Sequence, residues 1–478
     1  MFMRMIYDED LAQAAYLIGC QKTGEAIVID PERDVDRYID LARANGLRIV
    51  AAAETHIHAD FLSGARELAE RIGAKVYVSD EGDADWKYQW LNKKTGSGSY
   101  DHQLLHNGDT FHIGKIDFEV RHTPGHTPEH IAFLVTDRGA GATEPVGMIS
   151  GDFLFVGDLG RPDLLESAAG KVGAMEPSAR RLFKTVGTLN TVPEFVQVWP
   201  GHGAGSACGK ALGAIPTTTI GYEKRFNPAL GAATDEQSFV DFILAGQPEP
   251  PIYFANMKRD NKAGPRVLGG VPTPPRISVD DLRKLDARKV AIIDTRKWDE
   301  FRTGHIPGSL YIPLGTSFCT DAGSLVHERE DIYLIVKPDQ VDHAIRLLIR
   351  IGLDNIRGWS DAAEVARFAT ASTPLATIRE ETAEQAAELV ERGSVQVLDV
   401  RRATEFADGH LPGATNIAHT RLAARLDEVP DGDLLINCRS GGRSARAAAY
   451  LKRRGHEVIN LKGGYLGWEH AHPHAQNA

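Results

Sequence analysis

Residues 291–312 read AIIDTRKWDEFRTGHIPGSLYI, and residues 396–417 read QVLDVRRATEFADGHLPGATNI. Asp294, Arg296, Glu300, Phe301, Gly304, His305, Pro307 and Gly308 recur 105 positions later as Asp399, Arg401, Glu405, Phe406, Gly409, His410, Pro412 and Gly413. Chance does not hold register through identities of such mixed chemistry, so this half of the chain is a duplication. Each copy is about one small domain long, well above the ~20–50-residue period of a solenoid. Two copies of one α/β domain are therefore expected, over 277–372 and 373–478. They account for less than half of 478 residues, and a chain of this length divides into roughly three or four domains of ~100–200 residues.

The first half alternates strand-like and helix-like segments. AYLIGC, EAIVIDP, RIVAAAETH, KVYVSD, FHIGKIDFEVRHT, HIAFLVTD, VGMISGD and VQVWPGHG are β-branched or apolar runs with polar ends, which predicts strands. VDRYIDLARANG, SGARELAERIGA and SARRLFKTVGTL space their apolar residues for helices, the first two stopping at Gly. Strands interleaved with helices predict sheets covered by helices, in one domain over 1–246. Pro248, Pro250, Pro251, Pro265, Pro272, Pro274 and Pro275 mark 247–276 as a stiff linker. Its middle, IYFANMKRDNK, is too apolar for a solvated spacer and is expected to pack on a neighbouring domain.

Composition removes several classes. A net charge of −11, with no arginine- and aromatic-rich stripe, argues against a nucleic-acid partner. No apolar run approaches the ~18 residues of a membrane span, and MFMRMIYDEDLAQ carries acidic residues where a signal peptide needs its apolar stretch. Cys20, Cys208, Cys319 and Cys438 lie far apart. That spacing is no disulfide framework and fits a reducing cytoplasm.

Two constellations carry chemistry. His56, His58 and Asp60 follow the apolar run Arg48–Ala53. His126 lies in the turn TPGHT, Asp152 follows VGMIS, and His202 sits in WPGHG. Donors delivered from several strand ends converge on one sheet edge, and a Gly beside His126, Asp152 and His202 lets the backbone aim them inward. The joint pattern is that of a metal site. His102, His106, His112 and His122 are assigned to the surface. The second constellation is LLINCRSGGRSARAAAYLKRRGH. An apolar strand opens through Cys438, Arg439, Ser440, Gly441, Gly442, Arg443 and Ser444 into a helix. Loop N–H groups and the positive helix end favour a Cys438 thiolate, while Arg439, Arg443 and Arg446 add positive charge. The first repeat has no Cys, Gly or Arg from Tyr333 to Gln340, and its expected role is packing or docking.

With these motifs in place, residues 1 to about 240 resemble the metallo-β-lactamase fold, an αββα sandwich, and within it the glyoxalase II and persulfide dioxygenase branch. Residues 375–470 resemble rhodanese, a sulfurtransferase, through CRSGGRS and EFADGHLPGATNI, and the first repeat resembles a rhodanese that has lost its Cys. In two-metal members of the first family a His follows the Asp of the HxHxD motif and holds the second ion. This chain has Phe61 there, which cannot coordinate, so the site is expected to keep one metal and lose the other, which moves the expected chemistry from zinc hydrolysis toward a one-iron oxygen enzyme. The resemblance to persulfide dioxygenases implies one Fe(II) per chain, held by His56, His126 and Asp152, with zinc left open. His58, Asp60 and His202 become groups that orient ligands and waters. Arg161 of GDLGRPDL either shapes the thiol-substrate pocket or forms a buried pair with Asp163.

The implied activity is oxidation of a low-molecular-weight persulfide, of glutathione, coenzyme A or a similar thiol, by O2 to thiol and sulfite. Rhodanese transfer through Cys438 would link thiosulfate, sulfite and persulfide. The alternatives are a glyoxalase II-like zinc thioester hydrolase and a persulfide relay or sensor without oxygenase chemistry. The resemblance further implies a homo-oligomer.

Overall fold

The computed structural model describes residues 1–167, 173–210, 212–247, 249–365 and 374–472. Pro248 of the expected linker and the expected domain boundary at 372–373 lie outside these residues. The chain divides into two compact units. One comprises Met1–Val271 with Ile349–Gly352, the other Pro272–Leu348 with Leu353–Ala478.

The first unit holds two six-stranded sheets. One runs in chain order through Phe2–Asp8, Gln13–Cys20, Glu25–Ile29, Arg48–Ala53, Lys75–Ser79 and His102–Leu105. The other runs Thr218–Thr219, Gln197–Pro200, Gly147–Gly151, Ile131–Asp137, Ile116–His122 and Thr110–Ile113. Tyr16, Ile18, Ile27 and Ile29 of the first face Phe118, Val120, Ile131, Phe133 and Val135 of the second across one core. The alternate residues are buried too, beneath helices. Ala15, Leu17 and Val28 meet Tyr38 and Leu68, and Ala132, Leu134 and Val198 meet Leu182, Phe239 and Ile243. This αββα layering explains why the central strands are unbroken apolar runs, since both faces are covered. Each fully buried Phe or Ile contributes about 1.5–3 kcal/mol.

Two strand readings change. FHIGKIDFEVRHT is a hairpin, because Gly114 turns the chain at φ +57 between Thr110–Ile113 and Ile116–His122. Phe2–Asp8 and His102–Leu105 form edge strands without a clean alternating pattern. The middle of the Pro-rich stretch is helical, Phe254–Ala263, with Phe254, Met257 and Asn261 buried within the first unit.

The second unit contains the duplication in three dimensions. One parallel sheet has the order Leu310–Tyr311, Val290–Asp294, Asp331–Val336, Ile356–Asp361. The other repeats it as Thr415–Asn416, Gln396–Asp399, Leu434–Asn437, Val458–Leu461, and adds Arg379–Glu381 at its edge. Among the described residues, no helix is long and apolar enough to cross a membrane.

Candidate metal centre and cysteine loop

Each metal-site donor follows the end of a strand. His56 comes three residues after Arg48–Ala53, His126 after Ile116–His122, Asp152 directly after Gly147–Gly151, and His202 after Gln197–Pro200. The turns leave no room for side chains. A Cβ on Gly151, at φ +51, would lie 2.6 Å from Thr55 Oγ1 and 2.7 Å from His130 Nε2. One on Gly201 would lie 2.7 Å from Asp152 Oδ1. The bend after the first of these strands is held by Asp30, itself at φ +52. It accepts the Thr55 N–H at 2.7 Å and the Thr55 hydroxyl at 2.9 Å.

Three of the six candidates converge on one point. One donor atom each from His56, His126 and Asp152 lies within 4.8 Å of the others. Asp152 Oδ2 is 3.5 Å from His126 Nε2 and 3.9 Å from His56 Nε2. All three residues are buried, and neither His56 Nε2 nor Asp152 Oδ2 has a hydrogen-bond partner. Orphaned buried donors of this kind cost ~1–3 kcal/mol each unless something satisfies them, and a cation does so.

The outer nitrogens are already engaged, which fixes both rings. Thr55 Oγ1 lies 3.0 Å from His56 Nδ1, and the Arg161 carbonyl 3.0 Å from His126 Nδ1. Burial pushes both imidazoles down toward the neutral form. Burial works the other way on Asp152, yet His202, His126 and His56 together hold its carboxyl well below the usual range. Two neutral imidazoles and one carboxylate are the protonation state a divalent cation requires. The residues present therefore fit a metal ion.

The other three candidates sit around this point. His58 turns away: its Nε2 lies 3.1 Å from Asp30 Oδ1. Although burial disfavours its charge, Asp30 pushes the imidazole up to about 9. Phe61 is fully buried with its ring 4.4 Å from that of His58. His202 bridges two carboxylates, Nδ1 to Asp152 Oδ1 and Nε2 to Asp60 Oδ2, each at 2.7 Å. Arg161 is 1% exposed, its guanidinium clamped by both Asp163 oxygens at 2.7 and 2.6 Å and donating to the Ala207 carbonyl.

Two neighbours gave no sequence signal. Cys208 is buried, with a donor distance to Asp60 and His202 inside the same 4.8 Å limit. Nothing in GHGAGSAC marks it. Asn261, in the expected linker, donates to the carbonyls of His58 and Phe61 at 2.8 and 2.7 Å and accepts the Ser63 N–H at 2.8 Å. It pins the ligand-bearing loop from 200 residues away.

In the second unit, the Cys438 sulfur is 1% exposed. It accepts the Gly441 N–H at 3.1 Å and the Ser444 hydroxyl at 3.5 Å, where the helix Gly442–Arg453 begins. Gly441 sits at φ +100. The arginines divide. Arg443 is held by both oxygens of Glu405 at 2.7 Å, which brings that carboxyl down to about 2. Arg446 is paired with Asp321 of the first repeat and donates to Ser317 at 2.9 Å. Arg439 and Ser440 are exposed.

Comparison with known proteins matches the metallo-beta-lactamase superfamily over residues 8–187 and the rhodanese-like domain over 278–344 and 382–471. A solved metallo-beta-lactamase from Staphylococcus aureus subsp. aureus COL is 42% identical. The match covers 75% of this chain and 98% of that one, with a TM-score of 0.67. The mitochondrial protein named persulfide dioxygenase ETHE1 of Bos taurus is 25% identical over 49% of this chain and 78% of its own. A beta-lactamase hydrolase-like protein of Agrobacterium fabrum is 27% identical over 50% of this chain. The chain spans about half the length of that relative, 54%, and of its Xylella fastidiosa counterpart, 53%.

Proposed function

The chain belongs to the metallo-β-lactamase superfamily and carries two rhodanese-like domains, and from that premise we propose that it is a persulfide dioxygenase coupled to a sulfurtransferase. Persulfide, O2 and water give thiol and sulfite at the first site. Sulfur moves between Cys438, persulfide and sulfite at the second. The observation that carries the reading is the buried set His56, His126 and Asp152 with its unpartnered Nε2 and Oδ2. Two imidazoles and one carboxylate leave open positions on an iron.

Bound there, a ferrous ion would supply the redox chemistry that joins O2 to a sulfur anion. The chain's own residues do the rest. Thr55 and the Arg161 carbonyl hold the two rings in place, and His202 fixes the unused oxygen of Asp152 so that Oδ2 stays directed at the site. Sandwiched between Asp152 and Asp60, His202 is held protonated in spite of its burial, a proton source beside the place where a thiolate is released. At the second site, the Cys438 sulfur attacks the outer sulfur of thiosulfate or a persulfide. The S–S bond breaks, sulfite or thiolate departs, and the Gly441 N–H and Ser444 hydroxyl stabilise the persulfide anion left on Cys438.

The second reading, a zinc thioester hydrolase, draws on the neighbouring Asp60, His202 and Cys208, which could hold another ion. Against it, Phe61 offers no nitrogen where the second ion's remaining ligand would stand. Full-length protein purified anaerobically without chelator separates the two. We expect about one iron per chain and one O2 consumed per sulfite formed from a persulfide; two zincs and thioester cleavage without O2 uptake would overturn the proposal.

A further inference from the structure

One further histidine adjoins all three candidate donors in the first unit and has no nitrogen left to give. His130 is fully buried, and both of its ring nitrogens are engaged. Nε2 accepts the backbone N–H of Asp152 at 2.9 Å, and Nδ1 lies 2.7 Å from Thr123 Oγ1. Its ring stacks on that of His56, with centres 5.0 Å apart and planes 30° apart, and meets the His126 ring edge-on at 6.4 Å. His56 differs from it at the decisive atom, because the His56 Nε2 is buried and unpartnered.

These contacts fix one tautomer. A ring nitrogen that accepts an N–H carries no proton itself, so neutral His130 is protonated at Nδ1 and donates to the Thr123 hydroxyl. Thr123 is buried, three residues before His126, and its own N–H donates to the His130 carbonyl at 2.8 Å. On the other side, the pairing of strand Gly147–Gly151 with Ile131–Asp137 ends at Ile149 and Phe133. The Asp152 N–H lies past that ladder and meets an imidazole where a strand would have offered a carbonyl. The next residue, Ile131, donates its N–H to the Thr55 carbonyl at 2.8 Å. His130 and its neighbour thus tie together the segments that carry His56, His126 and Asp152. The opposite tautomer would set an Nε2–H against the Asp152 N–H, and a buried N–H without an acceptor is not tolerated where an alternative backbone position exists.

We infer that His130 is the positioning residue of the metal centre. Held by Thr123 in the Nδ1–H tautomer, it keeps the Asp152 backbone and the His56 ring where their free atoms meet at one ion, and it is not a ligand. The role rests on the metal-binding half of the reading above and holds for whichever divalent ion is bound. Groups that orient metal ligands in this way typically change metal affinity ~10–100-fold.

The test titrates full-length apoprotein anaerobically with Co(II) against a chromophoric chelator, which gives affinity, while the visible bands of bound Co(II) report its coordination. His130→Leu removes the acceptor, and His130→Gln returns a carbonyl oxygen close to the Nε2 position. Thr123→Val removes the hydroxyl that selects the tautomer, and Thr123→Ser returns it. The Leu and Val variants should bind Co(II) ~10–100-fold more weakly than wild type, and the Gln and Ser variants should recover most of the loss. The bands of His130→Gln should match those of wild type, since no ligand has been removed.

Bands shifted in His130→Gln would make His130 a ligand and overturn the inference. Wild-type affinity in Thr123→Val overturns it whatever the His130 variants show, because a loss there is then packing alone. Equal losses in Thr123→Val and Thr123→Ser do the same. Should His130→Leu fail to fold, the Thr123 pair decides by these readouts. No Co(II) binding to wild type removes the metal reading and this role together. The expected variant effects, without O2 uptake on any persulfide by the iron-loaded protein, support the role and remove the dioxygenase reading alone.

Discussion

In both C-terminal repeats a central strand ends on an aspartate clamped by the arginine two residues later. Arg296 Nη2 donates to Asp294 at 2.7 Å and to the Gly304 carbonyl at 2.9 Å; Arg401 Nη2 donates to Asp399 and to the Gly409 carbonyl, both at 2.6 Å. In both, a histidine stacks on the phenylalanine four residues before it, at 4.0 Å for Phe301 and His305 and 3.9 Å for Phe406 and His410. The repeats part company after the next strand. Asp294 pairs with Ile335 and Asp399 with Asn437, so Val336 stands where Cys438 does. Beyond Val336 comes a short turn, Pro338–Gln340, with no glycine and with a proline that has no N–H to offer. The residues that recur are those that hold the frame, and the chemistry sits in the one loop that does not recur.

The first repeat nevertheless contributes to the second. Buried Asp321 pairs with Arg446 and lies 3.3 Å from His419 Nε2, so it masks one cation beside the sulfur loop.

The comparison breaks most sharply at the sulfur. Cys438→Ser should lower thiosulfate-dependent transfer by ~10³-fold or more and leave persulfide-dependent O2 uptake largely intact, as read by sulfite release and an oxygen electrode. Adding Val336→Cys should restore nothing, since the turn Pro338–Gln340 that follows offers no glycine loop and no cradle of N–H groups. The shared frame comes next. Asp294→Ala and Asp399→Ala each leave a buried guanidinium unpaired, at a cost of about 3–5 kcal/mol. Denaturant midpoints should fall by similar amounts in the two variants; a difference of several-fold would show that the frames are not equivalent.

The smallest effect is a pH dependence in the first repeat. His305 is buried, and that burial pushes its imidazole down to about 4, helped by Arg296 and Lys452; His410 is exposed. A histidine depressed in the folded state stabilises above its unfolded value of ~6.5. That contribution is lost as pH falls from ~6.5 toward 4, and it amounts to at most about 3 kcal/mol. Melting curves of wild type and His305→Asn should converge across this window.

Much of this was legible in the residues. The duplication, the inactive first copy and the Cys438 loop follow from local identities, because a parallel strand, a tight Gly turn and a helix start are encoded within twenty residues of each other. The six candidate ligands were legible as a group for a similar reason, each lying just beyond a strand-like run and three of them beside a glycine. Which three of them converge came only from the family resemblance, which implied His56, His126 and Asp152, and the same three lie together in the fold. His58 and His56 differ only in what lies beyond each ring, and for His58 that is Asp30, from a different strand. Arg161 read equally well as a pocket residue or a buried pair, and its contacts to both Asp163 oxygens and the Ala207 carbonyl come only with the fold.

The sequence by itself determined a layered α/β domain with strand-end donors, followed by two copies of one small domain, of which a single copy carries a nucleophile. Short-range chemistry suffices for that: apolar periodicity, glycine turns and a cysteine before a helix. The tertiary structure alone decided that His56, His126 and Asp152 leave buried donor atoms unpartnered, and that Cys208 lies beside Asp60 and His202. It also decided that a helix within the proline-rich stretch brings Asn261 to the metal-binding loop. These depend on contacts between segments dozens to hundreds of residues apart, and no periodicity in a chain records which distant side chain will fill the space beyond a given ring.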